Sequence, residues 1–226
     1  MKSRRYFLLA VLTMAASSVW AEKPKAPVNP GPKKWEKTIA AFEAADKVTP
    51  PPAQGIEFVG SSTMVKWKTL QEDFAGLPVF NRGFGGSQSS DVLHYFDRVI
   101  LPYKPKTIVF YAGDNDLALG QTPAQVIGTW KKLMTRIIET LPETKVIYLS
   151  IRPSVKRESL IGQQKEVNKG IKALIEGQKN VQFVDLFPAL LGSDGKARAD
   201  LLVADMLHLN AEGYKVLTSI VHPLLK

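Results

Sequence analysis

Short runs that are apolar on both faces alternate along this chain with stretches of helical periodicity. Thr107-Ile108-Val109-Phe110-Tyr111 and Val146-Ile147-Tyr148-Leu149 have no polar side, a pattern suited to a parallel sheet with helices over both surfaces. Gly55 to Val59, Pro78 to Phe80, Lys145 to Ile151 and Val181 to Leu186 read as further strands, making five with Thr107 to Tyr111. Around them, Lys34 to Lys47, Val65 to Phe74, Asp91 to Leu101, Pro123 to Leu141, Ser159 to Gly177 and Ala211 toward Leu225 read as helices. In the first of these Trp35, Ile39, Phe42 and Ala45 mark the buried face, and Pro50-Pro51-Pro52 ends it. The expected architecture is a three-layer α/β/α sandwich around a five-stranded parallel sheet. Ligands of such sheets sit beyond the carboxyl ends of the strands, so the polar residues just after each run are the place to look for chemistry.

A chain of 226 residues with 45% hydrophobic and 23% charged residues suits one domain with a sizeable core. It contains no cysteine, which excludes a disulfide framework, a thiolate metal site and a lipid anchor on cysteine. Its three histidines, His94, His208 and His222, would nearly all be needed for a multi-histidine metal site, so no metal centre is expected. At the start, the basic Met1 to Arg5, the apolar stretch from Tyr6 to Val19 and the ending Val19-Trp20-Ala21 have the order of a secretory signal, with cleavage after Ala21. Ser3-Arg4-Arg5-Tyr6-Phe7-Leu8 resembles a twin-arginine signal, and the general secretory route fits equally. Residues 1–21 are therefore expected to be a signal peptide, residues 22–33 a Pro- and Lys-rich tail, and residues 34–226 a single domain that is exported to the periplasm or secreted. The apolar stretch is too short to span a membrane, so the mature chain is not expected to insert. Loss of Lys2, Arg4 and Arg5 lowers the formal charge from +9 to +6. Basic residues are not interleaved with aromatics on a folded face, so no nucleic-acid partner is expected.

Four loops carry polar groups at the expected strand ends or before the last helix. Val59-Gly60-Ser61-Ser62-Thr63 brings a hydroxyl into a helical pattern, where a serine can either cap the helix or face the crevice. Asn81-Arg82-Gly83-Phe84-Gly85-Gly86-Ser87 supplies glycines that let a backbone N–H approach a reacting oxygen, or that simply make a tight turn. Ala112-Gly113-Asp114-Asn115-Asp116 offers an amide and two carboxylates, or an Asx-type turn. Asp205-Met206-Leu207-His208 places a carboxylate three residues before a histidine, close enough to fix an imidazole tautomer. Each is weak alone, but a serine, a glycine amide, an asparagine and an Asp–His pair in this order form a catalytic set.

From Gly55 to His208 the chain resembles the SGNH hydrolases, also called GDSL-type esterases and lipases, in their acetylhydrolase-like subgroup. The resemblance rests on Gly60-Ser61-Ser62, Gly83-Phe84-Gly85-Gly86, Gly113-Asp114-Asn115-Asp116 and Asp205-Met206-Leu207-His208. It implies a flavodoxin-like sandwich and hydrolysis of a small-molecule ester without a cofactor. It also implies Ser62 as nucleophile, Asp205 and His208 as its partners, and an oxyanion hole made by the Ser62 and Gly86 amides with the Asn115 side chain. The common aspartate before the nucleophile is replaced by Ser61. An unassisted serine hydroxyl is a poor nucleophile, and His208 is the base that would take its proton. The expected activity is an exported serine esterase acting on small acyl esters, acetyl included, of carbohydrate or lipid-like alcohols. Its rivals are acyl transfer to a sugar hydroxyl and a non-catalytic cell-envelope binding module. Outside this set, His94 and His222 read as packing or surface residues, and Trp67 and Trp130 as core, with Trp67 near enough to Ser62 to line an acyl pocket. Arg82, Arg152 and Arg157 lie near strand ends, where they can meet an anionic substrate or bond backbone carbonyls.

Overall fold

The computed structural model of the chain describes residues 31–225. The expected signal peptide and most of the expected tail lie outside the described residues. All five apolar runs form strands: β1 (Ile56–Gly60), β2 (Val79–Gly83), β3 (Thr107–Tyr111), β4 (Lys145–Leu149) and β5 (Val181–Val184). They make one sheet in the order β2-β1-β3-β4-β5, with every neighbouring pair parallel.

In chain order the helices are α1 (Glu36–Val48), α2 (Ser62–Val65), α3 (Leu70–Asp73), α4 (Ser89–His94), α5 (Phe96–Val99) and α6 (Asp114–Ala118). After these come α7 (Pro123–Thr140), α8 (Ile161–Ile175), α9 (Phe187–Leu190) and α10 (Ala211–Val221). Alternation along the strands makes two cores. Val59, Ile108, Phe110, Val146 and Tyr148 point to one face, where α1, α4, α5, α7 and α8 pack. Phe58, Val109, Tyr111, Ile147 and Leu149 point to the other, under α2, α3, α9 and α10. The α/β/α sandwich with a five-stranded parallel sheet is thus as expected, and it follows from inner strands, β3 and β4, whose apolar runs face both layers.

Local chemistry sets where the helices begin and break. At the start of α7 the Thr122 hydroxyl accepts the Gln125 N–H and the Gln125 side chain accepts the Thr122 N–H, with Pro123 in the first turn. Val126, Trp130, Leu133, Met134 and Ile137 then bury one face of that helix. The helix expected from Val65 to Phe74 is instead split into α2 and α3. Asp73 accepts from Trp67 Nε1 at 2.6 Å and from the Thr69 hydroxyl at 2.7 Å. These bonds hold the intervening turn while Trp67 packs among Phe58, Phe74 and Tyr214. The stretch from Asp91 to Leu101 is likewise broken at Tyr95, between α4 and α5. β2 runs past its apolar part through Asn81, Arg82 and Gly83. The Asn81 side chain satisfies the Met64 carbonyl and the Gly83 N–H there. A 3₁₀ turn over Pro32–Trp35 takes in Pro32 and Lys33, two residues the sequence reading leaves in the tail. Among the described residues no helix is long and apolar enough to cross a membrane.

The chain passes from β1 to β2 on one flank and then crosses to β3 on the other. The carboxyl ends of β1 and β3 therefore border the point where the winding reverses, which is where crevices open in such sheets.

Candidate active site

Register brings three of the four loops together. Gly60, the last residue of β1, lies between Gly83 of β2 and Tyr111 of β3, so the loops that follow leave the sheet at one level. Gly60 has φ +135°, and a Cβ there would stand 1.9 Å from the Tyr111 carbonyl oxygen. Only glycine fits so close a backbone approach. The Ser61 N–H then donates to the same Tyr111 oxygen at 2.9 Å, and α2 begins at Ser62.

Ser61, not Ser62, occupies the position that caps α2, and its side chain makes no cap bond. Its hydroxyl is fully buried with no hydrogen-bond partner. Ser62 sends its Oγ to within 3.0 Å of His208 Nε2, across 146 residues of sequence. On the far side of the ring, His208 Nδ1 lies 2.6 Å from Asp205 Oδ2. The other Asp205 oxygen accepts the backbone N–H groups of Leu207 and His208, each at 2.9 Å. The bond from the His208 imidazole, followed by those two N–H groups, holds the Asp205 carboxyl well below the usual carboxylate range. An ionised carboxylate can only accept, so the imidazole proton sits on Nδ1 and Nε2 is left to accept from the Ser62 hydroxyl.

The loop that presents His208 is tightly held. Val203 N–H bonds the His208 carbonyl and Met206 N–H bonds the Val203 carbonyl, both at 2.9 Å, with Met206 at φ +55° in the turn. Arg152, buried, donates to the Leu207 carbonyl at 2.8 Å. Asn210 caps α10 through the Gly213 N–H directly afterwards.

The remaining two loops are bonded to each other and to β1. Asn115 Nδ2 donates to the Ser87 carbonyl at 3.0 Å, and the Ser87 hydroxyl donates to the Gly60 carbonyl at 3.3 Å. Asp116, fully buried, accepts the Ser89 N–H on both oxygens at 3.0 and 3.1 Å. Burial pushes its carboxyl up to about 7, with the Ser89 N–H opposing. Gly86 stands at φ +80°, a turn conformation that favours glycine. Beside it Trp35 donates from Nε1 to the Gly85 carbonyl at 3.0 Å, so the 3₁₀ turn before α1 props this loop.

Ser62, His208 and Asp205 are thus joined in one relay, while Asn115 and Gly86 lie on the loops that flank the same strand end. The arrangement can activate a hydroxyl and offer amide donors to a developing oxyanion. Among the described residues no three His, Cys, Asp or Glu side chains gather into a metal-binding cluster.

The three arginines all have internal partners. Arg82 lies among the rings of Phe42, Phe80 and Tyr103 and pairs with Asp46 on α1. Arg152 holds the His208 loop, and Arg157 pairs with Asp114 and bonds Asn115. Trp67 is buried in the core under α2 and Trp130 packs edge-on against Tyr148, so neither lines a crevice. His94 is exposed against Tyr95, and His222 stacks on Phe74. Arg152, Arg157 and Trp35 are the supporting residues that sequence reasoning missed as such. Position near a strand end flagged the two arginines but did not disclose their partners.

Residues 55–216 match the model of a family described as the GDSL-like lipase/acylhydrolase family. The human platelet-activating factor acetylhydrolase IB subunit alpha1 is 29% identical over 201 residues, covering 86% of this chain and 84% of that protein. Among solved structures, a GDSL-like lipase from Bacteroides thetaiotaomicron superposes with a TM-score of 0.69 at 19% identity, covering 83% of this chain and 96% of that one. A carbohydrate esterase family 3 structure from Talaromyces cellulolyticus superposes with a TM-score of 0.61 at 20% identity, covering 75% and 95%. At these identities the two structures show a shared fold.

Proposed function

We propose that this chain, which belongs to the GDSL-like lipase/acylhydrolase family and is a carboxylic ester hydrolase, works as an exported serine esterase through an acyl-enzyme. The carrying observation is the relay from Ser62 Oγ through His208 to Asp205, with contacts of 3.0 and 2.6 Å. His208 Nε2 takes the hydroxyl proton as Ser62 Oγ bonds the acyl carbon, and Asp205 steadies the imidazolium that forms. The carbonyl oxygen, now an anion, is met by the Ser62 and Gly86 amides and Asn115 Nδ2. His208 returns the proton to the leaving alcohol as the C–O bond breaks. Water then gives a proton to His208 as it attacks the acyl carbon, and His208 returns that proton to Ser62 Oγ as the Oγ–acyl bond breaks and the acid departs.

The substrates are small acyl esters, acetyl foremost, of carbohydrate or lipid-like alcohols. In support, a 29% identical relative is named an acetylhydrolase and a structural neighbour is a carbohydrate esterase. A fluorophosphonate should label Ser62, and Ser62→Ala should abolish both labelling and hydrolysis across a panel of acyl esters that includes acetylated sugars. An adduct on Ser61, or an active Ser62→Ala protein, would sink this assignment.

A further inference from the structure

We infer that Arg157 is a positioning residue for the oxyanion hole, acting by clamping the Asn115 side-chain amide in the one orientation that turns its N–H₂ toward the hole. The inference rests on the serine-esterase reading and adds a residue to it that neither the sequence motifs nor the proposed relay contains.

The geometry is a fork. One guanidinium nitrogen of Arg157, Nη1, pairs with Asp114 Oδ2, and the other, Nη2, donates to Asn115 Oδ1 at 2.7 Å. Asp114 in turn accepts the Asn115 backbone N–H on Oδ1 at 3.0 Å. The carboxylate, the guanidinium and the asparagine therefore close a small ring around one amide. The pair is largely withdrawn from water, with side chains 14% exposed for Arg157 and 7% for Asp114, and guanidinium is the group suited to such buried, planar, two-pronged contacts.

The chemistry of asparagine makes the clamp matter. A carboxamide turned over about its last bond exchanges an acceptor for a donor at almost no change in shape. With Oδ1 facing the hole, Asn115 would present a lone pair to a developing oxyanion and oppose the reaction. Arg157 has no acceptor to offer, so it tolerates only Oδ1 on its side. Nδ2 is then sent the other way, where one hydrogen goes to the Ser87 carbonyl at 3.0 Å and the second remains for the oxyanion. The Ser87 carbonyl can only accept, so both contacts select the same orientation. A donor aligned before the reaction starts costs no reorganisation when charge appears.

The test separates positioning from structure. Arg157→Lys keeps a cation for Asp114 but lacks the planar pair of nitrogens that reaches Asp114 and Asn115 together and fixes the amide between them. With p-nitrophenyl acetate as substrate, kcat should fall roughly tenfold or more while KM stays within about threefold, since the donor is used mainly in the transition state. In an Asn115→Ala background the same change should have no further effect on kcat, because no amide is left to position. The Asn115 side-chain NH₂ signals in ¹H–¹⁵N spectra, identified by their loss in Asn115→Ala, should shift and exchange faster with solvent in Arg157→Lys. Should Arg157→Lys fail to fold, Asp114→Asn with Arg157→Gln removes both charges together and is read the same way. Unchanged kcat and unmoved amide signals would overturn the inference, as would a loss of kcat that persists in the Asn115→Ala background. A wild-type protein without Ser62-dependent hydrolysis would instead defeat the esterase reading, and the amide signals would still decide whether Arg157 holds Asn115.

Discussion

Asn115 is held by three groups before any substrate arrives: its Nδ2 on Ser87, its Oδ1 on Arg157 and its N–H on Asp114. Such preorganisation predicts that Asn115→Ala lowers kcat roughly a hundredfold or more with KM nearly unchanged. Steady-state kinetics on one ester would check it, and a full-rate variant would reduce the hole to backbone amides. Its neighbour Asp116 predicts a pH effect on stability. Burial lifts the folded carboxyl from 3.8 to about 7. A group whose folded pKa is raised contributes stability that is fully present below the unfolded value and lost as pH rises through the folded one, here from about 4 to about 7. Asp116→Asn keeps an acceptor for the Ser89 N–H and does not titrate. The stability of the variant relative to wild type should therefore climb between about pH 4 and about pH 7, on the order of 1 kcal/mol per pH unit, and level off above that. Thermal melts across that range decide the matter, and a difference that stays flat with pH would mean that Asp116 does not titrate there.

At the scale of elements, the 3₁₀ turn and α1 are the parts whose contribution is least obvious. α1 is anchored by charge as well as by its apolar face. Arg98 bonds Glu36 and Glu43, and Asp46 takes both the Arg82 guanidinium and the Tyr103 hydroxyl. Arg82 is only 9% exposed at its side chain, so removing its partner strands a cation inside the fold. Asp46→Ala should cost about 3 kcal/mol or more, while Asp46→Leu with Arg82→Met should cost clearly less, because a buried charge left alone is worse than none. Denaturant unfolding of the two variants would show it, and equal losses would argue that Arg82 is well solvated in practice. Because Trp35 bonds the Gly85 carbonyl, undocking this element should also disturb the loop that carries Gly86. α2 illustrates a different balance: a helical pattern through Trp67 gives way to a kink, since burying the indole with its N–H bonded to Asp73 outweighs about one more helical turn.

For the whole molecule, the export reading predicts that the protein recovered from outside the cytoplasm begins at Glu22, which N-terminal sequencing would show. Uncut protein in the cytoplasm would count against it. The sheet and its layers were legible in the sequence because inner strands such as β3 and β4, covered on both faces, carry runs of apolar residues, a signal that survives without knowledge of neighbours. The candidate site was legible because Ser62, Asn115, Asp205 and His208 are polar residues in short stretches beside expected strand ends or the last helix, and because those stretches, in that order, resemble the blocks of a known family. What lay beyond reach depends on direction and distance in space. The resemblance singled out Ser62, but nothing local gives the reason that the Ser61 hydroxyl is buried while Ser62 turns to His208, which lies in the approach of Gly60 to the Tyr111 carbonyl. Nothing near Arg157 points to Asn115, 42 residues earlier, since a long flexible side chain finds its partner only after α6 and the turn before α8 have been packed side by side. Periodicity and residue type thus determined the layers and the chemical groups, because these follow from burial and covalent structure. Tertiary packing alone decided which hydroxyl faces the imidazole and which cation holds the amide, because hydrogen bonds need distances and angles that only the assembled backbone sets.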